Sequence, residues 1–218
     1  MELESNHALK ITFLGGTGRL GKVLLTRFAR AGFRTFLASR LLSHGEETAR
    51  KINNQIIPKY AIQACSYSEG VMQGDIIFMT IPYPASTAIA QSLNELLQHK
   101  LLVDTTVPVT TKGRLVYESA VAKTQKFLGE HVRVVSAFQT ISATLLAQEQ
   151  SAIDSNVLVT GNDLLACDRV INLAHFIGLK GVYCGNLDHS LTTENLAITL
   201  MQINRHHHTS TAGVNLLL

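Results

Sequence analysis

Three glycines in the stretch Gly16-Thr17-Gly18-Arg19-Leu20-Gly21 have the spacing best suited to chemistry in this sequence. They follow an apolar run at residues 10–14. They precede apolar Leu20, Val23, Leu24, Phe28 and Ala31, which recur at helical spacing. A strand that turns into a helix through such residues gathers main-chain N–H groups at the positive end of the helix dipole. That spot suits a pyrophosphate. Gly16 permits the tight turn, Gly18 lets the pyrophosphate approach the backbone, and Gly21 lets helix and strand pack closely. The motif alone is common, and its place between a strand and a helix is what gives it weight. The plain alternative is a glycine-rich turn with no ligand.

The second strand, read at residues 33–38, ends in Ala38-Ser39-Arg40. An NAD site places Asp or Glu here, about 20 residues after the glycines, to hold the ribose 2′-hydroxyl. This chain has no carboxylate after that strand until Glu46. A hydroxyl and a guanidinium suit a 2′-phosphate, because arginine offers a planar fork of donors. Thr17 adds a second hydroxyl. The expected cofactor is NADP(H) rather than NAD(H).

These residues need a sheet behind them. Apolar runs at 61–65, 76–81, 101–105 and 132–137 read as further strands. Segments 46–52, 68–73, 85–99 and 114–127 read as helices, and the run 107–113 as a connection. Alternation of this kind predicts an α/β fold with a mostly parallel sheet covered on both faces. A last unit, with strands at 156–160 and 181–184 and helices at 163–177 and 191–205, could extend the sheet. Residues 139–153 carry no clear pattern.

In an open parallel sheet the ligand sits beyond the carboxyl ends of the strands. That places Thr80-Ile81-Pro82-Tyr83, Thr105-Thr106-Val107-Pro108 and Ser136-Ala137-Phe138-Gln139-Thr140 around a nicotinamide. These segments hold hydroxyls, amides and apolar groups but few titratable ones. Alcohol dehydrogenation needs an acid or base, and the Tyr-x-x-x-Lys pattern that would supply one is absent. Hydride transfer between two redox cofactors needs mainly alignment of two rings. Asp104 reads as a base or, more simply, as a structural residue. Phe138 reads equally as a stacking ring or as core, and His131 lies at the opposite edge. His206-His207-His208 project in different directions from a helix end, so no metal site is expected.

Composition closes off other classes. The net charge is +3 and the cations are scattered, so no nucleic-acid surface is expected. No apolar run reaches the ~18 residues of a membrane helix. The polar start of the chain is not a secretory signal. Cys65, Cys167 and Cys184 lack metal or redox spacing and read as reduced thiols of a cytoplasmic protein.

With the glycine turn, Ala38-Ser39-Arg40, strand 75–82 and Val135-Ser136-Ala137-Phe138-Gln139-Thr140-Ile141 in view, the sequence resembles the NADPH-dependent coenzyme F420 reductases. Cys184-Gly185-Asn186-Leu187, Glu194-Asn195-Leu196, Ile203-Asn204-Arg205 and Thr211-Ala212-Gly213-Val214 extend the likeness over nearly the whole chain. The resemblance implies a Rossmann-type, doubly wound domain at 8–140, a small C-terminal α/β lobe at 141–218, and a homodimer. It implies that Thr17, Ser39 and Arg40 contact the 2′-phosphate. Gly16, Gly18, Arg19 and Leu20 would follow the pyrophosphate, and Ile81, Pro82, Val107, Pro108 and Ala137 would surround the nicotinamide. The second substrate would be F420 or a flavin. The chain departs from the family pattern at Gln139, Ser142 and 186–190, and Leu41-Leu42 stand where a basic residue often follows the Ser-Arg pair. Those departures leave the acceptor open. The alternatives to this reading are an NADP(H)-binding sensor without turnover, or a reductase of a small imine or carbonyl. The apolar C-terminus is expected to dock as an edge strand or at a dimer contact.

Overall fold

A computed structural model describes residues 9–109, 114–148 and 153–217. The first half alternates β1 (Lys10–Leu14), α1 (Arg19–Arg30), β2 (Arg34–Ala38), α2 (Leu42–Ile56), β3 (Gln63–Cys65), α3 (Tyr67–Gln73) and β4 (Ile76–Met79). Then come α4 (Ala85–Ser92), α5 (Asn94–Leu97), β5 (Leu101–Asp104), α6 (Ala120–Leu128) and β6 (Arg133–Ser136). The chain ends with α7 (Ala143–Leu146), β7 (Asn156–Gly161), α8 (Leu164–Phe176), β8 (Lys180–Tyr183) and α9 (Ser190–His206). Among the described residues no helix is long and apolar enough to cross a membrane.

The strands form one eight-stranded sheet in the order β3-β2-β1-β4-β5-β6-β7-β8. The first six are parallel, β7 runs antiparallel to β6, and β8 is parallel to β7. The chain reverses its direction of winding between β1 and β4, and such a switch point is where open α/β sheets bind ligands. The last strand–helix–strand unit does extend the sheet.

β4 and β5 are buried at every position, as strands covered on both faces must be. Neighbouring residues on a strand point to opposite faces, so Phe13 and Phe78 serve one core while Leu14 and Met79 serve the other. Phe13 stacks on Phe78 at 4.8 Å, and Phe28 meets both rings from α1. Phe138 joins this cluster 5.7 Å from Phe78, with no exposure. It is a core residue, not a stacking platform.

Two helices differ from their sequence pattern. The run at 85–99 divides at Leu93, whose φ of −105° and ψ of 8° leave the helical region. Ser92 Oγ donates to the Ile89 carbonyl there, the local competition by which serine weakens a helix. The helix predicted at 114–127 begins only at Ala120, because its cap comes from two places. Ser119 accepts from the Ala122 N–H, while the Glu194 carboxylate of α9 accepts from the N–H groups of Ala120 and Val121. A cap delivered from 74 residues away has no local signal. Residues 1–8, 110–113, 149–152 and Leu218, all covered by the sequence expectations, lie outside the described residues.

Candidate active site at the carboxyl edge of the sheet

The glycine turn is held almost wholly by main-chain bonds. Gly15 N–H donates to the Ala38 carbonyl, Gly16 N–H to Phe13, and Gly18 N–H to Gly15. Gly15 has φ +84°, a left-handed conformation that suits glycine. Gly18 caps α1 without a side-chain hydrogen bond, and the first turn holds no acidic residue. The amides and the dipole there are therefore available to an anion.

Gly21 and Gly18 have different reasons to be glycine. A Cβ on Gly21 would lie 2.4 Å from Thr80 Oγ1 and 2.7 Å from the Gly15 carbonyl. Thr80 is fixed, since its hydroxyl donates to the Leu14 carbonyl at 2.7 Å. A Cβ on exposed Gly18 would meet only the Gly15 carbonyl, at 3.1 Å. Internal packing demands the first glycine. The second leaves room in front of the helix end, as a pyrophosphate requires. The residues present therefore fit a dinucleotide.

β1 and β2 are in register from Lys10–Arg34 to Leu14–Ala38, so Thr17, Ser39 and Arg40 emerge at the same edge. Ser39 is buried, with its N–H on the Cys65 carbonyl, while Arg40 is exposed. The phenol of Tyr67, which the sequence reading did not single out, is beside Arg40. Burial raises the Tyr67 pKa, and the Arg40 guanidinium and main-chain N–H oppose that rise.

The ends of β4, β5 and β6 are likewise in register, Met79 beside Asp104 beside Ser136. Beyond them opens a cleft of about 510 Å³. Arg19, Leu20, Ile81, Pro82 and Val107 line it, together with Thr80, Thr105, Thr106, Gln139 and Thr140. Pro108 and Ala137 are both buried and are not among the lining residues, and Ala137 belongs to the core. The opposite wall is Ser142–Thr144 with Ala197, Leu200, Met201 and Asn204 of α9, followed by Thr209, Ser210 and Ala212.

That wall was largely missed by sequence reasoning. Leu196, Leu200 and Ile203 recur at helical spacing on α9, a pattern that fits core or a dimer contact; Leu200 is buried and lines the cleft, while Ile203 is 41% exposed. The buried stripe of α9 runs through Ser190, Glu194, Ala197 and Leu200 and mixes polar with apolar residues, and Met201 and Asn204 continue along the cleft. The tail is pinned by side chains. Asn204 Oδ1 accepts from the Ala212 N–H, the Ser142 hydroxyl donates to the Ser210 carbonyl, and Ser155 Oγ accepts from the Val214 N–H, beside a main-chain bond from Asn156 N–H to the Val214 carbonyl. The tail thus runs beside the start of β7.

Asp104 lies under the cleft floor, with no exposure. Its Oδ1 accepts from the Thr106 N–H at 2.8 Å, the structural role anticipated for it. Burial pushes its pKa up to about 6, against the hydrogen bonds from Thr106 and Thr124. Glu194 is also raised by burial, and the charge of Asp104 adds to the rise. His131 is exposed, with its carbonyl accepting from the His99 N–H at the far edge of the sheet. His206, His207 and His208 are exposed at the end of α9. Cys65, Cys167 and Cys184 are free thiols, and burial raises the pKa of each.

Residues 10–108 match the family described as NADP oxidoreductase, coenzyme F420-dependent. The chain is also 30% identical over 220 residues to the F420-dependent NADP reductase of Methanocaldococcus jannaschii, covering 95% of this chain and 98% of that one. The chain belongs to the coenzyme F420-dependent NADP oxidoreductase family. A second family member, the F420-dependent NADP reductase of Methanothermobacter thermautotrophicus, is 28% identical, with coverage of 95% and 94%. A crystal structure from Arthrobacter sp. FB24 shares the fold with a TM-score of 0.83, at 18% identity over 97% of this chain and 100% of that chain.

Proposed function

We propose that this chain transfers hydride between NADP(H) and coenzyme F420. One observation carries the reading beyond family membership. The cleft beside the phosphate-binding turn is nearly free of charge: among the described residues that line it, Arg19 alone is ionisable. A carbonyl or imine reductase needs a proton donor against its substrate. Two flat rings need apolar walls and fixed distances.

In this reading Thr17, Ser39 and Arg40 take the 2′-phosphate, and the turn from Gly16 through Leu20 takes the pyrophosphate. Ile81, Pro82 and Val107 seat the nicotinamide, with Pro108 and Ala137 fixing their backing. NADPH supplies the hydride when bound, and one proton from water completes the reduction of the acceptor. The chain aligns the two rings and keeps bulk water off the transfer path with Leu200, Met201 and Ile141. Residues 8–140 hold the dinucleotide, and 141–218 cover the acceptor. Exposed Met201, Ile203 and Leu217 support a homodimer through the C-terminal region. The absence of paired cysteines supports a cytoplasmic site of action.

Stopped-flow mixing of the protein and NADPH with F420, FMN or FAD tests the reading. F420 is expected to accelerate NADPH oxidation most, with a flavin as a slower acceptor. NADPH binding with no acceleration by any ring would overturn it in favour of a sensor.

A further inference from the structure

The two walls of the cleft are joined by one polar bond. Arg19 Nη2 donates to Thr144 Oγ1 at 2.9 Å, across 125 positions of sequence, and both residues line the cleft. Arg19 opens α1 beside Gly18. The first helical bond there runs from the Lys22 N–H to the Gly18 carbonyl, so the N–H groups of Arg19, Leu20 and Gly21 precede it. No acidic side chain stands in that first turn. Among the described residues, the guanidinium has Thr144 as its one hydrogen-bond partner and forms no ion pair. Its planar fork carries several N–H donors, and this bond uses one of them.

Thr144 in turn belongs to a polar chain that reaches the C-terminal tail. The N–H groups of Thr144 and Leu145 donate to Ser142 Oγ at 3.1 and 3.4 Å, and the Ser142 hydroxyl donates to the Ser210 carbonyl. Ser142 and Ser210 also line the cleft. Arg27 ties α1 to the same segment, but it is not among the lining residues. Arg19 is the one cation, among the described lining residues, that adjoins both the anion-ready helix end and the opposite wall.

An exposed Arg–Thr bond gains little by itself, because it freezes a long side chain. A second anchor on the same guanidinium changes that balance. The rotamer freedom is then lost once for two contacts, so each contact strengthens the other. We propose that Arg19 is a positioning residue that couples the two substrate sites: its guanidinium holds the dinucleotide pyrophosphate and Thr144 at once. Bound dinucleotide then steadies the wall built by Ser142, Thr144 and the tail, and the acceptor binds to a cleft already set. By reciprocity the acceptor tightens the dinucleotide by the same factor. The inference rests on the hydride-transfer reading above and adds to it how one site senses the other.

The test measures the Kd of oxidised F420 by its fluorescence, with and without saturating NADP⁺. Two oxidised rings exchange no hydride, so the ratio of the two Kd values reads binding alone. The wild-type chain is expected to bind F420 more tightly when NADP⁺ is present. Thr144→Val should cut that ratio about fivefold, the low end for a coupling between sites, and should retain the NADP⁺ affinity read by calorimetry without F420. Arg19→Met should cut the ratio equally and also weaken NADP⁺ alone by about tenfold, the loss of one charge-assisted bond. The double variant should couple no more weakly than either single one, because both remove the same link. A bond that only supports the wall would lower F420 affinity equally in both conditions. That result, or an unchanged ratio in either variant, would overturn the coupling and leave hydride transfer standing. A rise of NADP⁺ affinity in Thr144→Val would show that the pyrophosphate draws Arg19 away from Thr144, and would overturn it as well. F420 that binds in neither condition would remove both readings together.

Discussion

The cleft has one wall made of main chain and one made of side chains. On the dinucleotide side, Gly15, Gly16 and Gly18 are fixed by amide-to-carbonyl bonds at the tips of adjoining strands. On the other side, the segment carrying Ser142 and Thr144 hangs largely on α1. Arg27 donates to the carbonyls of Leu146, Ile177 and Gln148 at 2.6, 2.9 and 2.9 Å. Two helical turns earlier, Arg19 Nη2 donates to Thr144 Oγ1 at 2.9 Å. The first wall tolerates changes of side chain but not of backbone shape. The second depends on a few long polar side chains and should be the easier one to dislodge.

The sharpest way to break this contrast is Arg27→Ala. It removes three charge-assisted bonds, each worth about 1.5–3 kcal/mol in isolation, though such losses overlap. A net destabilisation of about 3 kcal/mol is expected in urea unfolding. If the walls are separable, the KM for the acceptor should rise at least about tenfold while the Kd for NADPH moves little. Equal losses for both substrates would show that the cleft yields as one body.

The glycine wall can be tested from inside and outside. Gly21→Ala drives a methyl group into Thr80 Oγ1 and the Gly15 carbonyl, an overpacking that costs about 1–3 kcal/mol of stability. Gly18→Ala meets one tight contact, 3.1 Å to the Gly15 carbonyl, so it should cost less stability than Gly21→Ala, about 1 kcal/mol or less. Its NADPH affinity should nonetheless fall, because the added methyl stands where the pyrophosphate approaches. Thermal melts and NADPH titrations on the two variants separate packing from ligand clearance. Arg40→Ala is a smaller change at the same wall. A lost phosphate contact of about 1.5–3 kcal/mol is a 10- to 150-fold loss of NADPH affinity. NADH affinity should be unchanged, and a parallel fall in both would move Arg40 out of the 2′-phosphate site.

The two walls also explain what could be read from the chain. The glycine turn, Ser39 and Arg40 are contiguous with strands whose apolar runs announce them, so local pattern located the fold and placed these residues at one edge of the sheet. Arg27, Glu194 and Asn204 act across separations of 119, 74 and 8 residues. A helix that begins at Ala120 because Glu194 arrives from α9 shows only half of its cap, Ser119, in the local sequence. The buried stripe on α9 mixes Ser190 and Glu194 with Ala197 and Leu200, so apolar periodicity finds Leu200 but not its polar neighbours. Gln139 was visible as a residue type, but its fixed amide depends on the Asp104 carbonyl 35 residues earlier.

Asp104 joins the two walls, since its carbonyl orients Gln139 and its carboxylate holds the Thr106 N–H. Its pKa is raised from 3.8 to about 6 by burial. The unfolded chain releases this proton near 3.8 and the folded chain only near 6, so between those values the folded chain holds the extra proton. The contribution of Asp104 to stability is thus greatest below pH 3.8, falls as pH rises towards 6, and is level above. The shift sets a ceiling of about 3 kcal/mol on that loss. Asp104→Asn removes the charge and retains an acceptor for Thr106, but gives up the stronger bonds of a carboxylate. A net gain of about 1 kcal/mol is expected above pH 6, a rise in Tm of about 2–4 °C for a chain of this size. Below pH 4 the gain should vanish, because aspartic acid and asparagine are then both neutral. A gain of equal size at both pH values would assign the effect to packing. A loss at neutral pH would mean that the ionised carboxylate, through Thr106, holds the floor under both rings.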